Sequence, residues 1–146
     1  MRRVIKDRKL EYICLAVLIA AVMLLPMEIT VVPAWEVKVV DESGNALSGV
    51  KVEEYWQYDA IESREHEQDM ITDDNGYVAF PTRVIKANLS SIIFGSLRNF
   101  LGHGIHAGFG TNAYLIARGK EGLQTGGTEY LPYLPLPKQI VMKRQN

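Results

Sequence analysis

The sequence predicts a mainly β protein: a small antiparallel β-sandwich with one short helical or irregular insertion and an N-terminal apolar helix. Three observations carry this. Apolar and polar residues alternate over 35–39 and again over 50–58, the period of strands with one buried face. Glycine, asparagine and aspartate cluster between the alternating runs, where a chain must turn. An apolar run from Tyr12 to Met27 follows a basic flank. The 146 residues suit one domain with an N-terminal appendage, 1–34 and 35–146, the second carrying an insertion at about 84–110.

The flank holds Arg2, Arg3, Lys6, Arg8 and Lys9 against Asp7 and Glu11. A positive segment before an apolar one is the layout of a signal sequence or membrane anchor. The flank stays cytoplasmic, so residues 12–27 meet the membrane and everything beyond is exported. The run of about 16 residues falls between a signal core and a span of roughly 20. Ile29 to Val32 would extend an anchor, whereas Val32-Pro33-Ala34 offers a cleavage site before Trp35. The chain is thus membrane-anchored with an extracytoplasmic domain, or secreted if cut near Ala34. Cys14 sits too early in the run for lipid attachment, and as the lone cysteine it can form no internal disulfide or thiolate metal site.

Trp35, Val37 and Val39 alternate with Glu36 and Lys38, and Ser43-Gly44-Asn45 closes that strand. Val50, Val52, Glu54, Trp56 and Tyr58 alternate with Lys51, Glu53, Tyr55 and Gln57 in a second strand. Residues 59–69 are charged and predict a solvated loop. Met70 to Thr72 and Tyr77 to Phe80 flank Asp73-Asp74-Asn75-Gly76, a hairpin pattern, and Pro81 stops the ladder. Over 84–101, Leu89, Ile92, Ile93, Leu97, Phe100 and Leu101 fall near helical spacing, with Gly95 weakening the helix. That insertion is expected to pack mainly on its own sandwich and to leave the glycine-rich 102–110 exposed as a contact surface. Ala113 to Ala117 predicts a buried strand, 119–127 a flexible loop, 130–137 polyproline-like chain and Gln139 to Met142 a closing strand.

Little in the chain points to chemistry. The net charge is −1 and no basic block follows the N-terminal flank, which excludes a nucleic-acid surface. His103 and His106 form an H-x-x-H pair, with His66 elsewhere. On a helix such a pair can hold a metal, with a third ligand from a loop carboxylate such as Glu65 or Glu67. Glycines around the pair favour instead a loop with solvated or backbone-bonded histidines. Asp73, Asp74 and Asn75 lack the further oxygen ligands of a calcium loop, whose closing position would be Val84. Ser90 and Ser91 follow no nucleophile-elbow glycines. Asn88-Leu89-Ser90 is a glycosylation sequon, relevant only in a eukaryotic secretory pathway. Trp56, Tyr58, His103, His106, Phe109 and Tyr133 make up the expected contact surface.

A family resemblance rests on Val37-Lys38-Val39-Val40-Asp41, Gly44, Leu47-Ser48-Gly49-Val50-Lys51-Val52 and Thr72-Asp73-Asp74-Asn75-Gly76-Tyr77. Over 35–80 the chain resembles the carboxypeptidase regulatory-like domains, with their transthyretin (prealbumin)-like β-sandwich, a small prealbumin-like or immunoglobulin-like fold. The related 5-hydroxyisourate hydrolase carries a histidine where Lys38 stands and a Tyr-Arg-Gly-Ser end absent here, so its activity is not expected. With the anchor-like start and the lack of clustered catalytic residues, the resemblance leads to the expectation of a non-catalytic, exported or membrane-anchored module that works through a protein partner or as an accessory of the cell envelope, with no cofactor. A carbohydrate- or peptidoglycan-binding module using Trp56 and Tyr133 is the alternative, and a metal-dependent hydrolase at His103 and His106 the third.

Overall fold

The computed structural model describes residues 2–119 and 122–144, with side chains of the first helix described from Arg8 onward. The protein is mainly β, in three open sheets. Helix α1 (Arg2–Leu24) leads through Leu25 into β1 (Pro26–Val32). Strands β2 (Trp35–Asp41), β3 (Lys51–Tyr58), β4 (His66–Ile71), β5 (Tyr77–Phe80) and β6 (Arg83–Asn88) follow. After α2 (Leu89–His103) and a 3-10 turn (Gly104–His106) come β7 (Thr111–Ala117), β8 (Gly126–Tyr130) and β9 (Gln139–Met142).

One sheet has the order β5-β2-β9, the second β4-β3-β7-β8, and β1 with β6 forms a separate ribbon. Every pairing is antiparallel except β2 with β9. The period-2 alternation of β2 sends Trp35, Val37 and Val39 into a core shared with Val52 of β3, Leu115 of β7 and Ile140 of β9. The Trp35 indole donates to Pro137 O at 2.8 Å, which fastens the approach to β9 onto β2. Val31 and Val32 of β1 are fully buried in the same core.

Several sequence expectations change. The apolar run does not end as a helix at Met27. Pro26 lacks an amide hydrogen and disfavours helical backbone at Leu25, so α1 stops at Leu24. Met27 to Val32 pair with β6 instead of extending an anchor, and the β unit therefore begins nine residues before Trp35, at Pro26. Among the described residues, no helix is long and apolar enough to cross a membrane. The Asp73–Gly76 turn is not a hairpin: β4 pairs with β3 and β5 with β2, so the turn carries the chain from one sheet to the other. Asp73 caps it, its Oδ1 accepting from Asn75 N at 2.9 Å and Tyr77 N at 2.8 Å. Gly76, at φ +78°, lies so close to Val39 O that a Cβ would sit 2.8 Å away. The charged loop ends early, at β4, and the glycine loop gives way to β8, because cross-strand partners on β3 and β7 satisfy their backbones.

The insertion holds β6 as well as a helix. Asn88 caps α2 by accepting from Ser91 N at 2.8 Å, and Ser91 Oγ accepts from Asn88 N at 3.2 Å. The helix leaves most of its large side chains off the sheets, with Leu89 and Ile92 half-buried. Its one buried residue is Gly95, set against the Ala60 backbone, while Ile93, Phe94, Leu97, Phe100 and Leu101 are exposed. Gly95 lets the helix backbone approach that of Ala60, and the bulky face is left outward.

Candidate functional site

The end of β3, the turn after it and the C-terminal half of α2 enclose a polar cleft of about 440 Å³. Gln57, Asp59, Glu62, Ser63, Arg98, Asn99, His103, His106 and Gly108 line it. Asn99 builds one wall: its amide donates to Gly108 O at 2.6 Å and to Asp59 O at 3.2 Å. Asp59 N donates to Gly110 O at 3.0 Å, so the chain after the 3-10 turn is drawn back along β3. Gly108 leaves room for the Asp59 side chain, since a Cβ there would lie 2.0 Å from Asp59 Oδ2 and oblige that carboxylate to move. Burial pushes the Asp59 carboxyl above its ordinary range. Glu62 is committed elsewhere, accepting from Tyr58 N at 2.7 Å and meeting His66 Nε2 at 2.7 Å.

Both members of the H-x-x-H pair reach this cleft, although the helix and the 3-10 turn, not a loop, present them. The neighbouring carboxylates are Asp59 and Glu62 in place of Glu65 or Glu67, and Arg98 adds a positive charge beside them. Among the described residues no three metal-binding side chains converge. Ser90 and Ser91 are occupied as caps, their hydroxyls donating to Asn88 Oδ1 at 2.7 Å and Asn88 O at 2.8 Å. Asp73 serves its own turn.

The aromatic candidates are scattered in role. Trp56 is half-buried, with the Arg83 guanidinium 4.1 Å from its ring centroid and His66 stacked at 5.4 Å. Tyr58 packs against the core. Phe109 is exposed, and Tyr133, in the turn closed by Leu134 N on Leu131 O, is 98 % exposed. Trp56 is therefore engaged inside the protein, and Tyr133 is free.

A buried ion pair escaped the sequence reading. Glu54 is fully buried, its Oε2 accepting from Arg83 Nε at 2.9 Å, while Oε1 has no partner; Arg83 also donates to Gln68 Oε1. Desolvation raises the Glu54 pKa against the opposing pull of Arg83. The signal was in the alternation, which gives Glu54 the phase of Val52 and Trp56. On the opposite face of β3, Glu53 accepts from Arg118 Nε at 2.6 Å and from Tyr55 Oη at 2.9 Å, and Lys51 lies 3.1 Å away. The Arg118 guanidinium is the largest cause that holds Glu53 down to about 2. Tyr55 stacks on Tyr114 at 5.0 Å beside this cluster.

No family model, curated protein or solved structure matches this chain.

The first helix exposes apolar side chains. From Arg8 to Leu25 every residue of α1 and its exit except Met23 is exposed, among them Ile13, Leu15, Val17, Leu18, Ile19 and Val22. Isolated apolar side chains on a surface need no explanation, but two adjoining helices with bulky faces outward do.

Proposed function

We propose that the chain is a membrane-held, extracytoplasmic β-sandwich module of the carboxypeptidase regulatory-like kind, acting through surface contacts in the cell envelope and not by catalysis. The observation that carries the reading is the exposed apolar surface of α1 joined through the single residue Leu25 to a strand whose Val31 and Val32 are in the core. The helix touches α2, and its side chains from Arg8 onward find little cover on the domain. The helical apolar part, residues 12–24, rises about 20 Å, less than the roughly 30 Å of a bilayer core. Arg8 and Lys9 would extend toward the headgroups, and a short insert draws its domain down to the lipid.

Cleavage after Ala34 would remove β1 and strip the core of two buried valines, which favours the anchored form over the secreted one. Carbonate extraction and protease sidedness test the reading. The full chain should sediment with membranes at alkaline pH, with residues 26–146 digested only from the extracytoplasmic side. Release by carbonate, or digestion from the cytoplasmic side, contradicts it.

A second reading has its own observation. The cleft beside α2 offers Asp59, Arg98, His103 and His106 to a small polar ligand such as a glycan or peptidoglycan fragment. Titration of the full chain with soluble muropeptides, read by amide shifts at 98–108 and repeated with Arg98→Ala, tests it. Unmoved amides, or shifts that survive the substitution, remove it.

A further inference from the structure

We propose that α2 is a second membrane-contacting element: it lies in the bilayer plane, with Ile93, Phe94, Leu97, Phe100 and Leu101 in the boundary between anionic headgroups and acyl chains. This rests on the membrane reading of α1 and adds the orientation of the whole domain.

Three observations argue for lipid as the occupant. The first is topological. In the β1–β6 ribbon, Pro26 is the register partner of Asn88. Pro26 is where α1 hands over to β1, and Asn88 is where β6 hands over to α2. Partnered residues of an antiparallel pair are about 5 Å apart. Both helices therefore leave one end of one ribbon, and they touch. When α1 is in the bilayer, α2 begins where α1 emerges and cannot be far from the headgroups.

The second is the sense of the amphipathicity. A helix that belongs to a globular core turns its large residues inward. Here Gly95 seats on the Ala60 carbonyl and Asn99 bonds the backbone at Asp59 and Gly108, while Ile93, Phe94, Leu97, Phe100 and Leu101 are exposed and Leu89 and Ile92 are half-buried. Ile105 of the following 3-10 turn is also apolar and is 92 % exposed.

The third is charge. From Asn75 to Lys120 the sequence holds no aspartate or glutamate. Arg98 and His103 flank the apolar face, and Lys86 precedes the helix, its exposed ammonium 3.9 Å from the equally exposed Glu28 carboxylate of β1. Apolar residues on one side with cations at the margin are what an anionic interface selects, at a depth of roughly 5–10 Å.

The test uses the full chain with Cys14→Ser, so that an environment-sensitive fluorophore attaches only at an introduced cysteine. Leu101→Cys, Phe94→Cys, Leu24→Cys and Asp74→Cys are reconstituted separately into phosphatidylethanolamine–phosphatidylglycerol vesicles with brominated acyl chains. Flotation reports α1, and bromine quenching reports the labelled site. Circular dichroism matching the wild type confirms the fold of each variant. The expected result is flotation of all four, with the probes at 94 and 101 quenched about as strongly as that at 24, and about twofold or more beyond that at 74. Replacing phosphatidylglycerol with phosphatidylcholine should weaken quenching at 94 and 101 while flotation persists. Flotation with unquenched probes at 94 and 101 overturns the proposal and leaves the α1 reading standing. A blue-shifted probe indifferent to bromine assigns the face to a protein and overturns it as well. Failure to float removes the reading of α1 and this inference together.

Discussion

Arg83 and Glu54 show what a single side chain does in this fold. The guanidinium crosses from the ribbon to the second sheet, bonds a carboxylate with no exposed surface and covers Trp56. Removing it by Arg83→Ala leaves that charge buried and unpaired, a loss of about 3–5 kcal/mol. Replacing both residues by Arg83→Met with Glu54→Leu should recover most of it, because the pair's own desolvation cost vanishes too. Urea unfolding of the two singles and the double measures this; additive losses would contradict it. Glu53 behaves oppositely with pH. Its pKa is lowered from 4.5 to about 2, so the stability it contributes is present above pH 4.5 and is lost as pH falls toward 2. The Glu54 pKa is raised, so its contribution weakens as pH rises above 4.5. Glu53→Gln should therefore flatten the acid side of the stability profile and leave the neutral side with its slope; an unchanged acid limb would refute the assignment. The phase of Glu54 could be read in the sequence. Its partner could not, because Arg83 lies on a strand that the apolar insertion concealed.

Among the elements, α2 sets the sharpest contrast. Gly→Ala within a helix ordinarily stabilises by up to about 1 kcal/mol. Gly95→Ala should instead destabilise, since the new Cβ would meet Ala60 O at 1.7 Å and must displace the helix from the turn it caps. Leu101→Ser on the outward face should change stability by no more than about 0.5 kcal/mol. Thermal melts of the two variants decide the matter; the reverse order would mean that the bulky face is the packed one. Strands β2, β3, β7 and β9 were legible because each buries one face against the core and so alternates. β1 was hidden because its sequence continues the apolar run of α1 across Pro26, and single-residue periodicity cannot separate the end of an apolar helix from the start of a buried strand. The Asp73–Gly76 turn was legible as a turn but not as a crossing, since the pairing partners of its flanking strands lie far away in sequence. The helical spacing of α2 was equally plain, whereas which face it buries depends on Ala60 and Asp59, which no pattern within 84–101 records.

For the molecule as a whole, the boundary between helix and β unit decides how it can be used. With Val31 and Val32 in the core, a chain trimmed to 35–146 forfeits about 3–6 kcal/mol of side-chain burial and its ribbon partner, a large share of the 5–15 kcal/mol typical of a domain. Residues 26–146 should give the dispersed amide spectrum of a folded β protein, and 35–146 should not; a well-dispersed spectrum from the shorter chain would show β1 to be dispensable. The same boundary ties α1 to the domain, places α2 beside it and sets the polar cleft along the flank of α2. The direct measurement is the intact mass of the protein recovered from the membrane and the soluble fractions of cells that produce it. We predict a mass that retains α1 and β1 in one chain. A species that begins at Trp35, folded and free of the membrane, would contradict the central claim.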